Sequence, residues 1–377
     1  MAFDNNFVPL QPIPAAQIRF ISSFNTTRAM TTSAINLLSQ LIQTPSFSRE
    51  ETAAADIVEQ FIASHHHTPH RHGNNVWALS PHWHDDRPTI LLDAHIDTVR
   101  PTSGWTRHPF TPSIEGDRLY GLGANDDGGS LVSLLHVFLN LTAQDDINTQ
   151  AYNLIFLASS EEEVSGKGGI ESVLPLLPHT NFAIVGEPTG MQPAVAEKGL
   201  MVVDVTTTGK SGHAARDEGE NAIYKAIDDI CWIRQHQFSR ISPLLGPVKM
   251  TVTIINAGTA HNVIPAQCSY TIDIRSNELY TNQEILDEIS RHLQGHPTPR
   301  SMRLSSSATG TEHPILLRTQ QLGLKPFGSP TLSNQALIPF PSIKIGPGQS
   351  ARSHTADEFI LISEIKQAIE LYTKMLQ

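Results

Sequence analysis

Thr89-Ile90-Leu91-Leu92-Asp93-Ala94-His95-Ile96-Asp97-Thr98 is the stretch on which the reading of the fold turns. Thr89–Leu92 has the length and composition of a short buried strand. The chain then runs straight into Asp93, His95 and Asp97. His95 and Asp97 are two apart, so on an extended chain their side chains point the same way. A carboxylate beside an imidazole commonly fixes its tautomer. Alone, the pair is equally well a strand-end histidine with a capping aspartate.

The same arrangement recurs downstream. Asn153–Leu157 leads into Ser159-Ser160-Glu161-Glu162-Glu163, and Phe182–Val185 into Gly186-Glu187-Pro188-Thr189. Pro341–Ile345 leads into Gly346-Pro347-Gly348 and then Ser353-His354-Thr355. Leu131–Leu141 reads as an apolar helix starting just after Gly128-Gly129. Upstream, Ile35, Leu37, Leu38, Leu41 and Ile42 form a helical stripe that Pro45 ends. Ser48 and Glu51 have capping-box spacing and open a second helix through about Ala63. Ile360–Met375 is a closing helix. Strands alternating with helices predict an α/β fold with a mostly parallel central sheet. In such sheets ligands bind outside the strand ends.

A second rhythm interrupts the first. Leu200–Thr208 is a strand, and Gly219–Gln235 a helix with Ala222, Ile223, Ala226, Ile227 and Ile230 on one face. Lys249–Asn256 and Gln267–Arg275 are strands, Asn282–Leu293 a helix and Met302–Ser306 a last strand. This order predicts an inserted ferredoxin-like α+β domain. The expected plan is a loose arm over 1–29, with Pro9, Pro12 and Pro14. A catalytic domain then spans 30–197 and 308–377, and the insert spans 198–307.

Composition narrows the function. The net charge of the 377 residues is −11, which argues against a nucleic-acid partner. No apolar run approaches the ~18 residues of a membrane span, so no membrane partner is expected. The N-terminus lacks the pattern of a secretory signal. The two cysteines, Cys231 and Cys268, form no metal-spaced pair and fit a reducing, cytoplasmic setting.

The chemistry lies in the acids and histidines. In Tyr120-Gly121-Leu122-Gly123-Ala124-Asn125-Asp126-Asp127-Gly128-Gly129, two aspartates sit where a phosphate would need positive charge, so a cation is the better guest. Glu161, Glu162 and Glu163 repel one another unless cations are near. Five strand-end or loop sites offering His, Asp or Glu are hard to explain as unrelated caps. Mixed imidazole and carboxylate donors suit zinc, with cobalt or manganese as substitutes. Two ions about 3.5–4 Å apart need a bridging carboxylate. The tract His65, His66, His67, His70, His72, His82 and His84 has no fixed ligand rhythm and reads as solvated loop and strand.

From about Ser33 onward the sequence resembles a family of zinc-dependent deacylases. It includes acetylornithine deacetylase, succinyl-diaminopimelate desuccinylase, aminoacylase and related carboxypeptidases. The matching text is His95-Ile96-Asp97-Thr98-Val99, Gly104-Trp105 with Pro109-Phe110, Leu119-Tyr120-Gly121-Leu122-Gly123 leading to Asp126, Glu162-Glu163, Gly186-Glu187-Pro188-Thr189 and His354. Gly104-Trp105-Thr106-Arg107-His108-Pro109-Phe110-Thr111 is most similar to the acetylornithine deacetylase branch.

The resemblance implies a phosphorylase/hydrolase-like catalytic domain with an inserted dimerisation lid, two Zn2+ per subunit and a homodimer acting on a small N-acyl amino acid. It places His95, Asp126 and Glu187 on one ion and Glu163 and His354 on the other, with Asp126 bridging. Glu162 becomes the general base, and Asp97 orients His95. His213, in Gly209-Lys210-Ser211-Gly212-His213-Ala214-Ala215, would stabilise the oxyanion of the partner's site. Asn262 would touch substrate across the dimer, Arg275 would grip its α-carboxylate, and Gly348 would line the substrate site. Where many relatives have Met-Lys-Gly after the bridging aspartate, this chain has Asp127-Gly128-Gly129. That departure suggests that Asp127 meets a cationic or polar substrate side chain. The implied reaction is deacetylation of N-acetylornithine in arginine synthesis. Desuccinylation of succinyl-diaminopimelate and dipeptide cleavage are the rivals within the class. An inert binding protein is the rival outside it, and it would have no need of the base Glu162.

Overall fold

The computed structural model describes residues 23–143, 151–216, 218–310 and 312–377. Helices α1 (Ser23–Ile42) and α2 (Thr52–Ser64) are followed by strands β1 (Pro69–His72), β2 (Asn75–Leu79) and β3 (Thr89–His95). Helix α3 (Gly129–Thr142) and strands β4 (Asn153–Ser159), β5 (Phe182–Val185) and β6 (Ala194–Glu197) come next. An inserted run comprises β7 (Gly199–Thr208), α4 (Ala222–Gln235), β8 (Lys249–Ala257), β9 (Gln267–Ser276), α5 (Asn282–His292) and β10 (His296–Pro299). The chain returns through β11 (Ser307–Ala308), α6 (Pro314–Gln321), β12 (Phe327–Ser329), β13 (Ser342–Lys344) and α7 (Ile362–Leu376).

The first sheet has the order β1-β2-β4-β3-β5-β13-β6-β11, with β12 beside β6. Its centre, β4-β3-β5-β13, is parallel. Every residue of β3 and β4 is buried, as their near-continuous apolar composition requires of strands covered on both faces. Parallel strands put all their C-terminal ends on one edge, and there His95 sits opposite Ser159 in register. On α3, Leu134, Leu135 and Phe138 are fully buried, each burial contributing roughly 1.5–3 kcal/mol. That packing anchors the helix whose first turn follows Asp126.

The inserted sheet has the antiparallel order β8-β9-β7-β10. With α4 and α5 this is a ferredoxin-like unit. It carries its own core, including Met201, Val203, Val205, Tyr270, Ile272 and Ile274. Among the described residues, no helix is long and apolar enough to cross a membrane.

Four local expectations change. Helix α1 begins at Ser23, well before the apolar stripe, because a polar first segment can be helical without showing a period. There the Thr31 and Thr32 hydroxyls bond back to the carbonyls of Thr27 and Arg28 at 2.8 and 3.0 Å. The rest of the expected arm, residues 1–22, lies outside the described residues. Ser48 and Glu51 form no capping box: Ser48 donates to Asp97, and Glu51 accepts from the backbone of Arg49 and Glu161. The last strand of the insert is His296–Pro299 rather than Met302–Ser306. Its prolines are tolerated because β10 lies at a sheet edge. On α4, Ile227 faces solvent while Asp229 is buried. Asp229 is satisfied there by the Tyr270 hydroxyl and the backbone N–H groups of Gln294 and Gly295.

Candidate metal centre

His95 ends β3 with its side chain buried. Its Nδ1 donates to the Asp97 carbonyl oxygen at 2.8 Å. That assignment leaves Nε2 free as a ligand atom, and it faces Asp126 Oδ1 at 3.2 Å. The second oxygen of Asp126, Oδ2, faces His354 Nε2 at 3.6 Å. His354 Nε2 also lies 3.0 Å from Glu163. Glu162 also reaches the cluster, its Oε2 being 3.9 Å from His95 Nε2. Ligand atoms of His95, Asp126 and Glu163 lie within 4.8 Å of one another, as do those of His95, Glu162 and Glu187. The expected ligand set therefore converges from four strand ends and the Gly-rich loop, with Asp126 in the middle.

Backbone ties hold these side chains. Asp97, fully buried, orients more than its histidine. Its Oδ1 accepts the Glu162 N–H at 3.0 Å, and its Oδ2 accepts the Glu163 N–H at 3.1 Å and the Ser48 hydroxyl at 2.7 Å. Glu358, unsuspected from sequence, is also buried. It accepts the backbone N–H groups of Gly123, Asn125 and Asp126 at 2.8–2.9 Å and so fixes the loop that carries Asp126. The one available signal was its place just before an apolar strand. Asn334 donates to Asp93 and Ser159 beneath the site, both at 2.9 Å.

The electrostatics of the cluster favour positive charge. Burial drives the carboxyls of Glu162 and Glu187 well above the ordinary range, and neighbouring carboxylates add to the rise. Burial likewise pushes Glu358 up to about 8, with Asp126 contributing. The Glu163 carboxylate lifts His354 to about 9. Burial opposes protonation of His95, yet its contacts with Asp126 and Asp97 hold it well above the usual imidazole value. Buried acids crowded in this way need positive charge. Imidazole and carboxylate donors with a shared carboxylate are a fitting set for two divalent ions.

Two expectations are corrected by placement. Asp127 is only 1% exposed, and neither of its oxygens has a hydrogen-bond partner. A carboxylate sealed inside the protein cannot greet a substrate side chain. Gly348 is buried too, with φ +84°, and a Cβ there would lie 2.3 Å from Asn125 Oδ1. Its visible role is to let the chain pass close to Asn125, which accepts the Gln349 N–H at 2.9 Å beside Asp126. Gly128 is equally constrained: a Cβ would lie 2.5 Å from both Gly123 O and Leu38 Cδ1.

The inserted unit's candidates stand apart. His213 and Asn262 are exposed and lie together on a small two-stranded ribbon, where the Ala214 N–H donates to Asn262 O at 2.9 Å. Arg275 spends its fork on Asp273 at 2.8 and 3.0 Å. Among the described residues, none of these three belongs to the metal-spaced groups, nor does any histidine of the 65–84 tract. In that tract His70 stacks on Trp77 and His67 bonds to Thr142.

Residues 91–377 match the description peptidase family M20/M25/M40. The chain belongs to this family. It is a metal-dependent hydrolase of the M20 family. The chain is 30% identical over 311 residues to an acetylornithine deacetylase of Proteus mirabilis, covering 76% of this chain and 79% of that one. It is 29% identical to an acetylornithine deacetylase of Klebsiella pneumoniae, covering 81% and 83%. Its fold is that of a dinuclear metal-binding M20 peptidase from Bacillus subtilis, with a TM-score of 0.70, 16% identity and coverage of 93% and 98%.

Proposed function

We propose that this M20 hydrolase is a di-zinc amidohydrolase that removes the acyl group from an N-acyl amino acid, N-acetylornithine being the leading substrate. The observation that carries this reading is the two-sided Asp126 carboxylate, one oxygen toward His95 and the other toward His354. His95, Asp126 and Glu187 would hold one ion, and Asp126, Glu163 and His354 the other. When bound, the ions polarise the amide carbonyl and acidify water. Glu162 takes the proton of the attacking water and delivers it to the leaving nitrogen. Asp97 keeps the Glu162 and Glu163 backbone fixed, and Glu358 does the same for the bridging loop.

Three further assignments belong to this reading. Residues 198–307 form a lid that dimerises, and the partner subunit's His213 donates a hydrogen bond to the oxyanion. Exposed Ile254 and Ile255 on edge strand β8, at 49% and 51%, support a protein-covered face there. Asn262 and Arg275 bind the substrate's amino-acid end, for which Arg275 must exchange Asp273 for the α-carboxylate. The protein works in the cytoplasm, in keeping with its unpaired cysteines. The likeness to acetylornithine deacetylases supports an acetyl substrate.

The test is acetate or succinate release from acetyl and succinyl derivatives of ornithine, citrulline and diaminopimelate by zinc-loaded protein, with a dipeptide included. Fastest release from N-acetylornithine is expected. Preference for a succinyl derivative or the dipeptide would reassign the substrate, and no chelator-sensitive release from any compound would overturn the reading.

A further inference from the structure

The turn that carries Glu162 and Glu163 is gripped from two separate parts of the molecule. It is strained. Glu161 enters it at φ 56° and Ser165 leaves it at φ 45°, both left-handed conformations uncommon outside glycine. Such a turn persists only where its surroundings over-determine it. On the catalytic side, Glu51 accepts the Glu161 N–H at 3.2 Å, and Asp97 accepts those of Glu162 and Glu163.

The exit of the turn is held from elsewhere. Arg303 donates through one guanidinium nitrogen to the Ser165 carbonyl oxygen at 2.7 Å and through the other to Glu171. Arg303 lies on the return segment of the inserted unit, between β10 and β11. Its backbone is anchored to that unit. The Asn282 side chain, at the start of α5, donates at 3.2 Å to the carbonyls of Met302 and Leu304 on either side of it. The Leu200 N–H of β7 also bonds Leu304 O at 3.1 Å. The arginine is half-buried, with 26% of its side chain exposed.

We propose that Arg303 is a positioning residue through which the docking of the inserted unit sets the orientation of the Glu162–Glu163 turn. The inference rests on the reading of Glu162 as the base. Its logic is geometric. The Ser165 N–H donates to Glu162 O at 2.8 Å, so Ser165 closes the turn that aims both carboxylates. A guanidinium holding the Ser165 carbonyl therefore limits how far that turn relaxes. Movement of the insert carries Arg303 with it and loosens a turn the insert does not otherwise touch through the bonds described here.

The experiment compares Arg303→Ala, Arg303→Lys, Glu171→Gln and Glu162→Gln, using the compound released fastest in the panel above. Arg303→Ala should lower kcat about tenfold or more, with KM within about threefold, because small misplacements of a reacting group are costly. Metal-free Arg303→Ala protein should show faster amide exchange over residues 161–166. Arg303→Lys, which keeps a donor for Ser165, should recover most of the turnover. Glu171→Gln, which still accepts from the guanidinium, should stay within about threefold of wild type. Wild-type kcat in Arg303→Ala beside an inactive Glu162→Gln enzyme would overturn the inference alone, as would unchanged exchange over 161–166. Wild-type turnover in Glu162→Gln would overturn the reading of the site, and the inference with it. Should Arg303→Ala fail to fold, Arg303→Met, which keeps the length of the side chain and loses its donors to Ser165 and Glu171, decides between the same results by exchange and kcat.

Discussion

At the C-terminal edge of the parallel strands, His95, Asp126, Glu162, Glu163, Glu187 and His354 crowd together, and all but His354 are largely shielded from water. On the inserted sheet, His213 and Asn262 stand in solvent and Arg275 is tied to its own neighbour Asp273. The first group gathers within one chain, and its crowded carboxylates favour positive charge. The second has polar groups with nothing to act upon. Convergence in the first follows from topology, since every parallel strand delivers its loop to the same edge. Nothing comparable gathers the second group, which is why its proposed role depends on a partner subunit. The two groups thus differ in burial before they differ in chemistry.

The largest expected effect belongs to the shielded group. Glu162→Gln should lower kcat by about 10³-fold or more, at the upper end for a positioned base, while zinc content stays near wild type. Metal analysis beside steady-state kinetics checks both halves. Next comes the exposed group. His213→Ala should cost about 10²-fold in kcat with unchanged Tm, because an exposed side chain contributes little to stability. Co-expressing Glu162→Gln and His213→Ala chains sharpens the contrast. A site shared between protomers regains activity in mixed dimers, to roughly a quarter of wild type for random pairing. A site served within one chain regains none.

Two smaller effects follow. His136 on α3 is buried, and burial lowers its pKa to about 4. Its stabilising contribution is present above the unfolded value of 6.5 and is lost as pH falls through about 4. The loss reaches at most about 3 kcal/mol. His136→Leu should therefore flatten the acid limb of a stability profile between those limits, whereas His213→Ala should leave it unchanged. Denaturant titrations at stepped pH measure this. Arg275→Lys should raise KM about tenfold and spare kcat, since a lysine cannot make the two-pronged contact with a carboxylate.

The residues of the candidate centre were legible because His95, Glu162, Glu163 and Glu187 follow short apolar strands, Asp126 and His354 lie in Gly-rich loops, and all are residue types that bind cations. Parallel pairing then did the rest. The ferredoxin-like order was legible from strand and helix periods, except at His296–Pro299, where prolines hide an edge strand. Glu358, Ser48 and Glu51 were not legible as parts of the site. Their partners are backbone N–H groups or side chains distant in sequence, and spacing along the chain carries no trace of such bonds. Ser48 and Glu51 even imitated a local cap. Asp127 misled because adjacent aspartates look alike in sequence, whereas the loop turns one into the cluster and the other into the interior.

The central claim is that one carboxylate joins two divalent ions held by residues from distant loops. Zinc bound per chain after dialysis tests it directly, in the wild type and in Asp126→Ala and His354→Ala proteins that remain folded. The account predicts two equivalents of zinc in the wild type, about one in His354→Ala and little or none in Asp126→Ala. A single equivalent in the wild type, or undiminished zinc without Asp126, would contradict it.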